Sequence, residues 1–131
     1  MNVTKILAVA GLAMIPTLAL ADGHAAGDAE KGKKVFRKCQ ACHAVGADAK
    51  NKVGPVLNGV VGRAIAAGDD FKYSDVLTGL GADGGVWTPE DLSAFLEKPR
   101  NYAKGTKMSF AGLRKEADRN DVIAYLATFS E

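Results

Sequence analysis

The chain has 131 residues, with 17 lysines and arginines against 15 aspartates and glutamates, and its formal net charge is +2 at pH 7. This length suits one domain and is too short for two ordinary ones. Net charge by itself indicates no partner, and the sequence contains no internal repeat, low-complexity linker or nucleic-acid-binding motif. We therefore expect one domain with one core, and we expect that the protein does not bind nucleic acid.

The first 21 residues have the pattern of a secretory leader. Lys5 supplies a positive start, residues 6–15 form an unbroken apolar run, and residues 19–21 read Ala-Leu-Ala, a small-x-small cleavage site. The alternative is a membrane anchor. A spanning helix needs roughly 20 apolar residues, however, and Pro16 and Thr17 end this run too early. The pattern predicts a cleaved signal peptide at 1–21, a mature domain at 22–131, and export to the bacterial periplasm.

The first helix of the mature chain is predicted after a short polar terminus. Asp28 is a good N-cap, and Ala29, Gly32 and Val35 recur at helical spacing, so we expect a helix that continues through Lys38. Its last residue directly precedes the first cysteine of the chain.

Glycine and proline interrupt the middle of the chain. The apolar residues of 44–67 follow no sustained periodicity, which predicts loops and no sheet. A short helix is predicted at 73–78, followed by a glycine-rich connection at 79–85.

Two further helices carry clearer signals. Thr88 is an N-cap followed by proline, which predicts a helix that ends before Pro99. Residues 100–113 are predicted to be irregular. A last helix is expected at 117–129, because four of its apolar residues repeat at the spacing of one buried face: Val122, Ile123, Leu126 and Phe129. The sequence therefore predicts an all-α protein with about four to five helices.

The most informative motif is Cys39-Gln40-Ala41-Cys42-His43. Two cysteines separated by two residues and followed by histidine form the attachment sequence of a c-type haem. Each thiol adds to one haem vinyl group, and the next side chain can offer an imidazole nitrogen to the iron. Cys39 and Cys42 are thus predicted to anchor one covalent haem c, and His43 is predicted to ligate its iron.

Three other interpretations of the motif have less support. A thiol oxidoreductase would place the cysteine pair after a buried strand, whereas this pair follows a lysine-rich helix. A structural zinc site needs four ligands, and His24 is the only further cysteine or histidine. A disulfide is possible in an exported protein, but it leaves the role of His43 unexplained.

The second axial ligand is suggested by elimination. Met108 is the only methionine in residues 22–131, and it lies in an irregular segment. A lone methionine is more often a core residue, but the haem motif upstream favours Met108 as the ligand. His24 and an iron with an open position are the alternatives.

Together these motifs resemble class I cytochrome c, in particular the bacterial cytochrome c2 type, which is similar to mitochondrial cytochrome c. The resemblance spans nearly the whole mature chain and rests on residues 27–36, the Val53-Gly54-Pro55 segment, and the stretch from Pro99 to Leu113. It implies a cytochrome c fold wrapped around one haem, with Met108 on the iron. It also implies that the Pro55 carbonyl accepts the second ring N–H of His43.

The resemblance implies further contacts and one departure. Arg63, Tyr73 and Trp87 match residues near the haem propionates, and Thr106 is expected near one of them. Phe95 stands where mitochondrial relatives usually carry a tyrosine, so that hydroxyl group's hydrogen bond should be absent.

The resemblance implies a soluble, monomeric, periplasmic electron carrier, not an enzyme and not membrane-spanning. Its expected donor is cytochrome bc1, and its expected acceptor is a photosynthetic reaction centre, a terminal oxidase or a periplasmic reductase. The competing functions are a haem-based catalyst or gas-binding cytochrome with an open iron position, and a CxxC thiol oxidoreductase.

Overall fold

The computed structural model describes residues 26–129, so the leader predicted at 1–21 lies outside the described residues. Five α-helices occur in the described chain: α1 (Ala29–Val35), α2 (Asp75–Ala82), α3 (Pro89–Glu97), α4 (Pro99–Tyr102) and α5 (Glu116–Leu126). A 3₁₀ turn, Phe36–Lys38, extends α1 up to the first cysteine. Between residues 26 and 129 there is no β-sheet, only an isolated bridge between Ala64 and Val86. The all-α prediction is confirmed.

The side chains of Asp28 and Thr88 cap the starts of α1 and α3. The Asp28 carboxylate accepts hydrogen bonds from the Glu30 and Lys31 amides at 2.9 and 3.1 Å and begins α1. The Thr88 hydroxyl group accepts from the Asp91 amide at 3.1 Å and begins α3, with proline at its first position. Each cap satisfies amide groups that the first helical turn leaves without partners. These two starts agree with the sequence prediction.

The first and last helices pack against each other. Gly32 is buried in α1, and a Cβ atom at this position would overlap the carbonyl group of Asp121 in α5. The Asp28 amide also donates a 2.7 Å hydrogen bond to the Asp121 carboxylate. Glycine is therefore required where α1 crosses α5, because any side chain would force the two backbones apart.

The structure corrects three helix boundaries. The last helix was predicted at 117–129, but it spans Glu116–Leu126, because the amide groups of Thr128 and Phe129 bond to carbonyl groups three residues back and form turns.

The second helix was predicted at 73–78, but it begins after Ser74 and continues through Ala82, into the stretch predicted as a connection. Gly81 explains part of the difference, because a Cβ atom there would overlap the Ile65 carbonyl group. The small residue lets α2 lie directly against the loop, and this packing outweighs the low helix propensity of glycine.

The remaining correction concerns the segment after α3. Residues 100–113 were predicted to be irregular, but Pro99 begins the short helix α4. A proline that cannot continue one helix can still occupy the first position of the next. The remaining stretch, 103–115, has no helix or strand and contains Met108.

Apolar side chains from α3, α5 and the middle loop form one core. Leu92 and Leu96 from α3 are buried with Val122 and Leu126 from α5. Phe36, at the end of α1, is also buried and contacts Tyr125 with ring centroids 5.5 Å apart. No helix within residues 26–129 is long and apolar enough to cross a membrane.

Candidate functional site

The predicted attachment motif forms a tight turn at the end of the first helical segment. The amide groups of Cys42 and His43 both donate to the Cys39 carbonyl oxygen, at 3.1 and 2.9 Å. The Lys52 ammonium group donates a 3.0 Å hydrogen bond to the Gln40 carbonyl oxygen and ties the turn to the following loop. Backbone hydrogen bonds therefore hold the two cysteines and the histidine in one fixed unit.

His43 is buried and its ring is oriented by the loop beneath it. The Nδ1 atom lies 2.7 Å from the Pro55 carbonyl oxygen. A carbonyl oxygen can only accept, so Nδ1 carries the proton and Nε2 keeps its lone pair. This is the hydrogen bond that the resemblance implied. It fixes the tautomer in which Nε2 can bind a metal ion.

Burial keeps the His43 imidazole neutral. Desolvation lowers the pKa of His43, and the Pro55 hydrogen bond opposes this effect without overcoming it. A neutral imidazole is the form that binds a metal ion. The backbone at Gly54 lies so close to the ring that a Cβ atom there would overlap Cε1 of His43. The His43 ring can therefore occupy this position only because residue 54 is glycine.

Met108 is presented by the irregular segment between α4 and α5. The Thr106 amide donates to the Ala103 carbonyl oxygen at 2.9 Å, and the Met108 amide donates to the Thr106 hydroxyl oxygen at 3.3 Å. These two bonds form a compact turn before the methionine. The Met108 side chain is partly buried and packs against the core.

One large cavity brings the four predicted site residues together. Cys39, Cys42, His43 and Met108 all line it, and the space without protein atoms is about 1110 Å³ with its open mouth included. Most of the remaining wall is apolar and includes Phe36, Leu57, Trp87, Leu92, Phe95 and Leu126. Such a cavity suits a flat apolar ligand, with the thiols, the imidazole and the thioether as its polar contacts.

These donors fit a haem c. Two thiols can form thioether bonds, and a neutral imidazole and a thioether are an established axial pair for haem iron. Desolvation raises the pKa of Cys39, and the nearby Lys38 charge only partly offsets this. Cysteines of thiol oxidoreductases instead have a lowered pKa. No group of three His, Cys, Asp or Glu side chains within residues 26–129 could hold a metal ion such as zinc.

The residues implied to lie near the propionates also reach the cavity. Arg63, Tyr73, Trp87 and Thr106 all line it. Arg63 donates a 2.9 Å hydrogen bond to the Asn58 carbonyl oxygen, and the Tyr73 hydroxyl oxygen accepts from the Gly68 amide at 2.9 Å. These bonds hold polar side chains at the wall of an otherwise apolar cavity.

An aromatic cluster supports the wall formed by α3. Phe95 lines the cavity, and its ring centroid lies 5.0 Å from that of Trp87 and 5.9 Å from that of Tyr102. The Tyr102 hydroxyl group donates to the Asp91 carboxylate at 3.0 Å. Sequence reasoning missed this bond, because its two residues lie eleven positions apart on different helices.

Comparison with known proteins identifies the family of this chain. The family model for cytochrome c matches residues 29–130. The chain is 55% identical to cytochrome c-550 of Ancylobacter novellus over 100 residues, 76% of this chain and 94% of that protein. It is 46% identical to cytochrome c2 of Agrobacterium tumefaciens over 100 residues, which cover 76% of this chain and 90% of that protein.

A solved structure of a related protein has the same fold. Cytochrome c2 from Rhodospirillum centenum superimposes with a TM-score of 0.74 at 44% identity, over 80% of this chain and 100% of that one. The chain belongs to the cytochrome c family. It is therefore a haem-carrying electron carrier and not an enzyme, and the family's haem c is attached covalently. This finding excludes the thiol oxidoreductase interpretation.

Proposed function

We propose that this protein is a periplasmic carrier of single electrons in which Cys39 and Cys42 would hold the haem and His43 and Met108 would bind its iron. The observation that carries the proposal is that both side chains line the cavity that Cys39 and Cys42 also line. When bound, the haem supplies an iron that cycles between its ferrous and ferric states. Histidine and methionine ligation raises the reduction potential, which suits a carrier that accepts electrons from a quinol-oxidising complex.

The protein's own residues contribute orientation and exclusion of water. Pro55 holds the His43 ring in one tautomer. The turn at Thr106 presents Met108, and the mostly apolar wall of the cavity disfavours water. The two side chains that would bind the iron are therefore oriented by the protein itself. No substrate bond is made or broken.

We further propose cytochrome bc1 as the donor and a photosynthetic reaction centre, terminal oxidase or reductase as the acceptor, with the carrier as a monomer. The support is the similarity to proteins named cytochrome c2, together with exposed lysines near the site. Lys107 lines the cavity and is exposed, and Lys38 is exposed directly before Cys39. A positive rim of this kind favours fast, weak docking to an acidic partner.

Replacement of Met108 tests the ligation. Met108→Ala should leave haem attached through Cys39 and Cys42, remove the red-end absorption band of sulfur ligation from the ferric protein, and lower the potential. The open position should then bind added imidazole. If the ferric spectrum of Met108→Ala equals that of the wild type, Met108 is not the ligand, and an iron with an open position gains support.

A further inference from the structure

Arg119 is the most unusual buried side chain in the described chain. It lies on α5 with only 8% of its surface exposed. Its guanidinium group carries a positive charge and N–H donors in a fixed planar arrangement. Among residues 26–129, no carboxylate lies within ion-pair distance of it. Burial of such a cation is costly unless hydrogen-bond acceptors replace the lost water.

The acceptors come from two other parts of the chain. The Nε atom of Arg119 donates to the Ser93 hydroxyl oxygen on α3 at 3.0 Å. The Nη1 atom donates to the carbonyl oxygens of Leu113 and Arg114, at 2.8 and 3.0 Å. One rigid planar group therefore joins α5, α3 and the end of the segment that carries Met108.

The Arg119 bond to Leu113 lies at the first position after Met108 where hydrogen bonds hold this segment to the rest of the protein. After the Met108 amide, the next main-chain hydrogen bonds found within residues 26–129 are at Leu113. The Leu113 amide donates to the Leu96 carbonyl oxygen at 2.7 Å, and its own carbonyl oxygen accepts from Arg119. Residues 109–112 thus run between the turn at Thr106 and this anchor.

We propose that Arg119 is a positioning residue that holds the Met108 segment in place and thereby keeps the thioether on the iron. The proposal rests on the His43 and Met108 ligation proposed above. Hydrogen bonds to a charged donor are stronger than neutral ones. The desolvated guanidinium group therefore resists any movement of Leu113 that would let Met108 withdraw from the cavity.

The test uses two variants that both lose the planar guanidinium group. Arg119→Lys keeps the positive charge but loses the planar fork that reaches both Ser93 and Leu113. Arg119→Met loses both. In ferric protein with haem bound, both variants should bind added imidazole about tenfold more tightly than the wild type, as expected when one charge-assisted hydrogen bond no longer holds the native ligand. The sulfur-ligation band should weaken in parallel, and the Leu113 amide should exchange hydrogen faster.

A destabilised control distinguishes positioning from general loss of stability. Tyr125→Leu removes ring contacts with Phe36, in the 3₁₀ turn after α1, and with Phe129, just after α5, and it lies outside the cavity wall. At matched free energy of unfolding, this variant should keep wild-type imidazole affinity. If the Arg119 variants match Tyr125→Leu in imidazole affinity, Arg119 is only structural and the proposal is wrong.

A milder variant covers the case in which the Arg119 variants do not fold. Ser93→Ala removes one acceptor and leaves the two carbonyl bonds, so it should raise imidazole affinity by less than Arg119→Lys. An unchanged affinity in Ser93→Ala, with faster exchange at neither Leu113 nor Met108, contradicts the proposal. A wild-type ferric protein without a sulfur-ligation band overturns both the ligation and this inference. If that band is present and the affinities do not change, only the role of Arg119 is overturned.

Discussion

The Tyr102 hydroxyl group donates a 3.0 Å hydrogen bond to the Asp91 carboxylate and ties the end of α4 to the first turn of α3. The same carboxylate accepts a 2.8 Å bond from the Thr88 hydroxyl group. One acidic side chain therefore completes a helix cap and fixes the start of the segment that leads to Met108. The Arg119 bonds at Leu113 fix the other end of that segment.

Loss of the Tyr102 hydroxyl group should weaken the fold. Tyr102→Phe is expected to reduce the free energy of unfolding by about 1 kcal/mol near pH 7, because the Asp91 carboxylate loses one donor. Denaturant unfolding measures this loss. Tyr125→Phe is the matched control, since its hydroxyl group makes no hydrogen bond within residues 26–129. An equal loss in both variants would contradict the assignment.

The same pair predicts a dependence on pH. Burial raises the pKa of Tyr102, and the bond to Asp91 raises it further, so the folded protein holds this proton more tightly than the unfolded chain does. The unfolded chain releases the proton first as the pH rises, so stability falls above the ordinary tyrosine pKa of about 10. The stability difference between wild type and Tyr102→Phe should narrow there. A difference that stays constant with pH would rule out this linkage.

Gly54 and Gly79 form a pair with opposite expected outcomes. Gly54→Ala places a methyl group against the His43 ring, and such overpacking typically costs 1–3 kcal/mol. Thermal unfolding of the haem-loaded protein and its ferrous spectrum should show lower stability and disturbed histidine ligation. Gly79→Ala places the same methyl group in open space on α2 and should stabilise the protein by up to about 1 kcal/mol. Equal effects would show that His43 does not depend on Gly54.

Covalent attachment predicts how haem behaves in denaturing solvent. Wild-type protein should keep all its haem after extraction with acidified organic solvent. Cys39→Ala and Cys42→Ala should each leave one thioether bond and reduce the amount of protein with haem, measured by absorbance per unit of protein. Haem that is fully extracted from the wild type would mean that the two cysteines are not its anchors.

The lysines near the cavity predict a salt-dependent docking rate. Lys38→Glu and Lys107→Glu should slow reduction by isolated cytochrome bc1 several-fold at low salt, because steering charges can raise association rates by 10 to 10³. Lys115→Glu is the control, since Lys115 directly precedes α5 and does not line the cavity. Added salt should reduce the differences, because charges are screened over about 8 Å at 0.15 M. Equal slowing by all three would contradict this docking surface.

The sequence predicted the parts of the molecule that depend on local chemistry. The caps at Asp28 and Thr88 act on neighbouring amide groups, so their residue types alone identified two helix starts. The attachment motif likewise depends on the short spacing between Cys39 and His43. For this reason the residues that line one end of the cavity could be named before the fold was known.

The parts that sequence reasoning missed depend on residues far apart in the chain. Gly81 looks like a helix breaker until the Ile65 carbonyl group is seen against it. Arg119 would ordinarily be assigned to the surface, and its burial depends on acceptors from the Ser93 hydroxyl group and the carbonyl groups of Leu113 and Arg114. No periodicity in the sequence reports such long-range acceptors.

The contact between α1 and α5 has a consequence for when the protein can fold. An isolated helix of seven residues is unstable in water, so α1 depends on a partner that lies at the other end of the chain. Synthesis must deliver α5 before α1 can form. The cysteines closely follow α1, so we expect their segment to stay unfolded and accessible to haem attachment until α5 has been made.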